Sequence, residues 1–199
     1  MWAEDKLYTY LYQEKSAKKG ASNVTSLLFH HIKIYVLSEH QHHHNFPIDE
    51  PDLIVDNCGG QNKNGTVIKA ATYFCEHKWF KNVNLIFLIK GYTKNICDHM
   101  FNLLKIRWHK ANVYTFQDSI AILNDQEQVN VIDATNIYFE YNDMLSKFYR
   151  QPATGTINKN HLLPFSHNNI CRVIMITKRS HNAFVSQCLK NIQKVEIIG

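Results

Sequence analysis

Apolar, strand-like runs alternate with helically spaced segments along residues 1–110 of this chain. Strands are predicted over three runs, the aromatic run 6–12, the run 53–55 and the run 83–89. Helices are predicted around 24–35, 67–74 and 96–108, where apolar residues recur at helical spacing. The near-continuous apolar run over 83–89 is typical of a strand that is covered on both faces. The order strand, helix, strand, helix, strand, helix therefore predicts a layered α/β domain with right-handed crossovers.

Beyond Lys110 the alternation is less regular, but elements of both kinds continue. We predict helices over 116–123 and 141–149, and strands over 129–132, 161–165 and 171–176. A turn-rich stretch over 149–155 separates the last helix from the last two strands. We interpret residues 1–199 as a single partial domain, with a core over 1–110 and a C-terminal extension of the same domain over 111–199.

Composition excludes several classes of protein. With 199 residues and a hydrophobic fraction of 45%, the chain is long and apolar enough for one sizeable core. No apolar run approaches the ~20 residues of a membrane span, and a start that carries Glu4 and Asp5 is not that of a signal peptide. The five cysteines form no CxxC pair, so neither a disulfide framework nor a zinc ribbon is indicated. We expect an intracellular protein, nuclear rather than cytoplasmic, with no membrane partner.

A polar segment with the sequence Asp-Asn-Cys-Gly-Gly-Gln-Asn-Lys-Asn, residues 56–64, directly follows the second predicted strand. Asp98 falls in the first turn of the helix after the next strand. Because the carboxyl ends of parallel strands meet at one edge of a sheet, we expect Asp56 and Asp98 to face one cleft. There they are candidate catalytic residues and candidate ligands of Mg²⁺ or Mn²⁺. The alternative is that Asp98 caps its helix and Asp56 begins a turn.

The formal charge of +5 mildly favours a polyanionic partner, DNA or RNA. Lys63 and Lys94 are best placed to contact a phosphate backbone, with Gln61 and Asn57 as neighbouring amides. The wider basic rim of this edge consists of Lys63, Lys69, Lys90, Lys94, Lys105, Arg107, His109 and Lys110. The alternative is a solvated lysine surface. The cluster His40, His42, His43 and His44 suits either a transition metal or, more simply, a polar loop.

The segment 56–64, followed by Gly-x-Thr-Lys-Asn-x-x-Asp-x-x-Phe over 91–101, resembles an uncharacterised, transposon-derived eukaryotic domain family. That family has an RNase H-like fold and is related to DDE transposases and integrases. The likeness extends to the strand over 8–14, to the turn Lys19-Gly20-Ala21 and to 148–149 and 159–161, and it covers roughly residues 6 to 165. The resemblance implies an RNase H-like domain with α/β/α layers. It also implies an ancestral, metal-dependent activity on phosphodiesters.

Within this resemblance, Asp56 matches the fourth-strand Asp of the catalytic set and Asp98 matches its late acid. Other positions depart from the family pattern, since Asn23 stands where a Glu is expected and Tyr92 stands in place of a His. The chain also begins near the third strand, so the first hairpin and its Asp are missing. We therefore interpret the domain as catalytically degenerate, with Mg²⁺ or Mn²⁺ as an ancestral cofactor that binds weakly or not at all. The alternative is a non-enzymatic module that binds nucleic acid or protein.

The missing hairpin has a consequence for the N-terminal strand. Without its neighbour, that strand should leave unpaired backbone or apolar surface over 7–11. A second copy of the chain, or another partner, would then cover this strand edge.

Overall fold

The structure, a computed structural model, describes residues 1–3, 6–39, 49–56, 58, 60–88, 96–151, 161–165, 169–175 and 194–197. Its strands are β1 (Trp2–Ala3), β2 (Lys6–Leu11), β3 (Asp52–Val55), β4 (Asn82–Phe87), β5 (Val129–Asp133), β6 (His161–Phe165), β7 (Asn169–Met175) and β8 (Lys194–Ile197). Its helices are α1 (Ala21–His31), which continues as a π-helix over Ile32–Glu39, α2 (Gly65–Glu76), α3 (Ile96–Lys110), α4 (Phe116–Asn124) and α5 (Tyr141–Phe148). A 3-10 turn covers Glu14–Ser16. The helices and strands that the sequence predicts are therefore confirmed, with small shifts at their ends.

One eight-stranded sheet holds the described strands together, in the order β5-β2-β1-β8-β3-β4-β7-β6. The strands β8, β3, β4 and β7 run parallel to one another, and β2 runs parallel to β5. The short β1 and the edge strand β6 are antiparallel to their neighbours. Parallel neighbours need long crossover connections, and helices supply them here. The predicted α/β class is thus confirmed.

Side chains that alternate along β2 define the two faces of the sheet. Tyr8 points to α1, where its ring centroid lies 4.8 Å from that of His31. Leu7 points the other way and packs with Cys97 and Met100 of α3. We call the side of α1, α2 and α5 the first face, because these helices share one buried cluster. The side of α3 and α4, which share another cluster, is the second face.

The first face carries the larger core. The strands β3 and β4 give it their alternate residues, which are almost fully buried: Leu53, Val55, Val83, Leu85 and Phe87. The helix α2 lies close to them, since the small, fully buried Ala70 and Ala71 let its backbone approach the sheet. Phe74 fills the remaining space and stacks on Trp79 with ring centroids 5.2 Å apart. Dense packing of this kind makes the first face the main source of hydrophobic stabilisation.

The second face carries a smaller core, and its long helix also exposes apolar side chains. The buried residues of this core are Leu7, Cys97, Met100, Leu104, Leu123, Val129 and Val131. On the outer side of α3, Leu103 is 41% exposed and Ile106 is 54% exposed. No helix in the described ranges is both long enough and apolar enough to cross a bilayer.

The N-terminal strand corrects one prediction. Along its length β2 pairs with β5, from Leu7 opposite Val129 to Leu11 opposite Asp133, and β1 pairs with the beginning of its other edge. Leu7 and Tyr8 are only 3% and 4% exposed. The prediction of an exposed apolar edge is therefore wrong for these two residues. The sequence pattern could not show this, because β5 lies far along the chain from β2.

Two short strands were not predicted. The strand β8 lies between β1 and β3, with Glu196 opposite Trp2 on one side and opposite Ile54 on the other. The strand β1 is too short to display an alternating pattern, whereas Lys194-Val195-Glu196-Ile197 does alternate polar and apolar residues, a signal that could have indicated β8. Residues near the C-terminus of the chain thus take a central place in the sheet.

Candidate functional site

The carboxyl ends of β3 and β4 meet at one edge of the sheet. The two strands are parallel, with Val55 opposite Phe87, and the Leu88 amide donates to the Val55 carbonyl oxygen at 3.2 Å. Asp56 directly follows β3 and is half-buried. It therefore lies at the end of the sheet where open α/β folds bind their ligands.

The described residues of the polar segment, 56, 58 and 60–64, lie in a tight turn between β3 and α2. One carbonyl oxygen, that of Cys58, accepts from the amides of Gln61 at 3.3 Å, Asn62 at 2.9 Å and Lys63 at 2.8 Å. The Asn62 side chain is fully buried, and its polar atoms have no hydrogen-bond partner among the described residues. The Asn62 side chain therefore lies in the interior of the turn, whereas the side chains of Gln61 and Lys63 are only partly buried.

Asn64 ends this turn and caps the N-terminus of α2, which begins at Gly65. Its Oδ1 accepts from the amides of Thr66 at 2.9 Å and Val67 at 3.2 Å, which satisfies two amides that lack partners inside the helix. Asn64, which was not among the predicted binding residues, thus has a structural role as a helix cap. Asn57 lies outside the described residues, and its binding role stays a prediction.

A cavity of about 340 Å³ connects this turn with two distant parts of the chain. Gln61 lines it from the turn, Asn23 from α1 and Cys97 from the start of α3. Asp98, the next residue after Cys97, lies in the first turn of α3 and is half-buried. The turn that follows Asp56, the start of the helix that carries Asp98 and Asn23 therefore border one cavity, but neither Asp56 nor Asp98 lines it. That the two carboxylates face one cleft stays a prediction.

Asn23 cannot supply the charge of the expected Glu. Its side chain is 7% exposed, and its Nδ2 donates to the Tyr12 hydroxyl at 2.7 Å, which fixes the carboxamide. In two-metal sites several carboxylates offset the charge of the ions. The described ranges contain no group of three His, Cys, Asp or Glu side chains arranged to hold a metal ion. A donor set of Asp56, Asp98 and one neutral amide does not fit a pair of Mg²⁺ or Mn²⁺ ions.

Gly20 sets the geometry of the turn before α1. Its φ of 142° lies in a region that residues with a side chain rarely adopt, so glycine is required there. The turn Lys19-Gly20-Ala21 leads directly into α1, which begins at Ala21. Lys19 and Gly20 thus lie directly ahead of α1.

A second cavity, polar and of about 360 Å³, lies at the N-termini of α1 and α2. No sequence pattern indicated it. Lys18, Lys19 and Glu140 line it. Glu140 accepts hydrogen bonds from the hydroxyls of Ser22 and Tyr138, and these bonds, that of Ser22 first, lower its pKa from the ordinary value. Ser22 and Glu140 are 118 positions apart, so no local pattern could have connected them.

The predicted basic rim is only partly present. Lys69 is 5% exposed, and its Nζ donates to the Ser146 hydroxyl at 3.0 Å, so its assignment to the rim is wrong. It connects α2 with α5 instead. Arg107 forms an ion pair with Asp125, whereas Lys63 remains half-buried in the turn after β3. The following predicted residues lie outside the described ranges: Lys90, Tyr92, Lys94, His40, His42, His43 and His44.

Between β2 and α1 lies a buried aromatic cluster that the sequence analysis did not single out. His31 is fully buried, and this burial lowers its pKa to about 3, so the ring is neutral near pH 7. Its Nδ1 lies 3.2 Å from the Tyr10 hydroxyl, and its Nε2 has no partner among the described residues. Burial also raises the pKa of Tyr10. These two groups form a neutral, structural pair in the core.

Comparison with known proteins places the chain in a family. The sequence model of a domain of unknown function, DUF7869, matches residues 6–183. No curated protein and no solved structure matches the chain. The matched residues include α1 with Asn23, the turn after β3 and the beginning of α3. The chain therefore belongs to the DUF7869 family.

Proposed function

We propose that this domain is an RNase H-like descendant of a transposon-derived, metal-dependent nuclease or transposase, and that it binds nucleic acid without cleaving it. The binding surface is the carboxyl edge of β3 and β4. Lys63 and Gln61 lie in the turn that follows β3 and supply part of this surface, and Lys94 and Asn57 are assigned to it from the sequence. Lysines contact phosphates rather than base edges, so the binding is indifferent to base sequence.

The observation that carries this proposal is the convergence of three separate positions on one cavity. Asn23, Gln61 and Cys97 line the same space of about 340 Å³, although they belong to α1, to the turn after β3 and to α3. In the resemblance, these positions are at or near the Glu, the fourth-strand Asp and the late acid. An ancestral catalytic site would require these three segments to meet, whereas an unrelated α/β fold would not.

The strand order supports the same proposal. The strand β3 is interior, with β4 and β8 parallel to it on its two sides. A strand that placed a further carboxylate beside Asp56 would have to pair with β3. The strand β8 takes that place, with Ile197 opposite Val55. The end of β3 thus lies between two parallel strands, β4 and β8, as a site at that end requires. The strand β8, from the C-terminal part of the chain, forms one side of that site.

Loss of catalysis follows from the charge of the site. Two divalent ions clamp the attacking and leaving oxygens of a phosphodiester only when enough carboxylates hold them. A neutral amide tied to Tyr12 replaces one carboxylate at Asn23. Asp56 and Asp98 remain from the ancestral set. With fewer acids at this edge, a phosphate backbone also meets less repulsion.

Fluorescence anisotropy tests the binding. Labelled single-stranded DNA, the equivalent RNA and a duplex are each titrated with the protein at several salt concentrations. Lys63→Ala and Lys94→Ala should each weaken binding to every sequence and reduce the salt slope by about 1. Lys33→Ala is the matched control, because Lys33 is an exposed lysine on the π-helix of the first face. Binding that resists salt, or that Lys33→Ala weakens equally, would contradict this interface.

The same oligonucleotides with Mg²⁺ or Mn²⁺ test catalysis. We expect no cleavage, and we expect Asp56→Asn to leave binding unchanged or slightly tighter, because it removes a negative charge. Asn23→Glu adds back the missing acid and should raise the Mn²⁺ affinity measured by calorimetry. Metal-dependent cleavage that Asp56→Asn and Asp98→Asn each abolish would establish an active nuclease and overturn the degenerate interpretation.

One observation favours the alternative function, a module that binds protein. Ile96, Leu103 and Ile106 on α3 are 40%, 41% and 54% exposed. Contiguous apolar surface often marks an interaction site. A domain that binds none of the oligonucleotides, and whose self-association or partner binding is lost in Ile106→Lys, would support this alternative.

A further inference from the structure

The long helix of the second face, α3, carries large aromatic rings on its surface. Of its 15 residues, the buried ones are Cys97, Met100 and Leu104. Phe101 is 45% exposed and Trp108 is 36% exposed, so each ring keeps much of its surface in contact with solvent. Two such rings on one helix are a candidate for a surface that a ligand covers.

Phe101, Lys105 and Trp108 form one stripe along α3, which we call the aromatic stripe. Their spacing of four and then three residues places them on the same side of a helix. At the rise of an α-helix, the two ends of the stripe are about 10.5 Å apart along the axis. The Lys105 Nζ lies 4.9 Å from the centroid of the Phe101 ring, which is a cation–π distance. The stripe therefore holds an ammonium group and a ring side by side at the surface.

The charge around the aromatic stripe is positive. Three residues of the segment 99–110 are Lys or Arg, and none is Asp or Glu. Lys105 and Lys110 are exposed, whereas Arg107 is held in an ion pair. Asp98, the acid of α3, lies in its first turn, about 10 Å along the axis from Lys105, where salt screens much of its field. The surface of α3 is thus complementary to a polyanion.

Rings that alternate with a cation suit unpaired bases. An exposed ring stacks on a base of any kind, and a neighbouring cation contacts the phosphates of the same strand. In a duplex the bases are already stacked on one another, so their faces are not open to a protein ring. A membrane surface fits less well, because the polar and exposed Asn102 and His109 lie on the side of α3 opposite its buried residues.

We propose that the aromatic stripe binds single-stranded nucleic acid by stacking unpaired bases on Phe101 and Trp108. Lys105, which lies between the two rings, contacts a phosphate of the strand that joins those bases. This inference rests on the proposed function, because it takes nucleic acid as the ligand, and it adds a second surface with a preference for unpaired strands. Lys63 and Lys94 contact the backbone of any strand, whereas the rings act only on open bases.

Three oligonucleotides of equal length test the proposal by fluorescence anisotropy: a single strand, the same strand with every base removed, and a duplex. The two single strands carry the same phosphates, so their difference isolates the bases. The wild type should bind the intact strand at least about tenfold more tightly than the abasic strand. Phe101→Leu and Trp108→Leu keep an apolar side chain and remove the ring. Each should weaken binding of the intact strand at least about fivefold and leave the abasic strand and the duplex unchanged.

Two further variants keep a lost effect from being ambiguous. Phe101→Tyr retains a ring and should bind the intact strand as the wild type does. Phe148→Leu is the matched control, because Phe148 is 74% exposed on α5 of the first face, and it should bind all three oligonucleotides as the wild type does. A loss of binding in Phe148→Leu equal to that in Phe101→Leu would overturn the proposal.

Lys63→Ala separates this proposal from the proposed function, since it should weaken binding of all three oligonucleotides. If Lys63→Ala weakens binding while Phe101→Leu and Trp108→Leu do not, the aromatic stripe is overturned and the edge of β3 and β4 stands. Equal affinity of the wild type for the intact and abasic strands would also overturn the stripe. So would binding to vesicles of phosphatidylserine and phosphatidylcholine, but to none of the oligonucleotides, that Phe101→Leu abolishes. That last result would assign the stripe to a membrane surface and contradict the proposed function as well.

Discussion

The two faces of the sheet differ in how completely they are packed. On the first face, α1, α2 and α5 enclose a continuous core that contains most of the described buried apolar residues. On the second face, α3 and α4 cover a core of seven buried residues, and the cavity of about 340 Å³ lined by Asn23, Gln61 and Cys97 opens between the two faces. Stability thus resides mainly on the first face. The proposed contacts with ligands lie where packing is thinner, as expected for regions that bind.

The difference begins in the helices themselves. In α2, small residues let the helix approach the sheet, and Phe74 is fully buried. In α3, by contrast, only Cys97, Met100 and Leu104 are buried, while apolar and basic residues share the rest of its surface. The first face therefore tolerates little change of side-chain volume, whereas the outer side of α3 is open to substitution.

The largest expected effect is a cavity on the first face. Phe74→Ala should lower the free energy of unfolding by about 3–5 kcal/mol, because it removes a fully buried ring from a close-packed site. Leu123→Ala on the second face should cost less, about 2 kcal/mol, because a smaller core can relax around the space. Urea denaturation measures both changes in the free energy of unfolding. Equal costs would show that the two faces are packed alike.

The next effect depends on pH. The pKa of His31 is lowered from 6.5 to about 3 by burial, so the unfolded chain takes up a proton at higher pH than the folded chain does. The stability that burial of the neutral His31 ring contributes is therefore present above pH 6.5, and this contribution is lost as the pH falls from 6.5 toward 3. Between pH 6.5 and 4.5 this loss should amount to about 2 kcal/mol.

His31→Phe tests this origin, since it keeps a ring in the cluster and removes the titrating group. The variant should lose about 2 kcal/mol less than the wild type over that pH range in urea denaturation. His77→Phe is the control, because His77 is exposed, and its pH slope should match that of the wild type. A wild-type slope in His31→Phe would assign the acid sensitivity to other groups.

Capping residues give a smaller effect on both faces. Asn64 caps α2 on the first face, and Thr115 caps α4 on the second face, where its hydroxyl accepts from the Asp118 amide at 3.1 Å. Asn64→Ala and Thr115→Ala should each cost about 1 kcal/mol, because each leaves helix amides without an acceptor. Asn64→Asp keeps the acceptor and should be nearly neutral by thermal denaturation. A much larger cost for Asn64→Ala would show that the turn after β3 depends on Asn64 for more than its cap.

The smallest effect is expected on the outer side of α3. Ile106→Lys should change the free energy of unfolding by less than about 0.5 kcal/mol, because Ile106 is 54% exposed. A clear destabilisation in urea would mean that this part of the second face is covered in solution.

The local sequence pattern predicted the helices and strands and the position of part of the candidate site. Periodicity located the strand before Asp56 and the helix that carries Asp98, since both repeats depend on residues only two to four positions apart. The resemblance drew attention to Asn23, and in the structure that residue lines the same cavity as Gln61 of the turn after β3. Lys69 was assigned to the rim because its charge was visible in the sequence, while its partner on α5, Ser146, was not.

The sequence by itself determined the α/β class, the order of helices and strands along the chain, and the position of Asp56 at a strand end. Only the tertiary structure decided that β5 pairs with β2, that β8 enters the middle of the sheet, and that Asn23, Gln61 and Cys97 line one cavity. The physical reason is the range of the interactions. Side-chain periodicity and helix caps act within a few residues, whereas strand pairing joins any two segments whose backbone groups and buried faces match. Which partner each strand finds is settled when the whole chain packs.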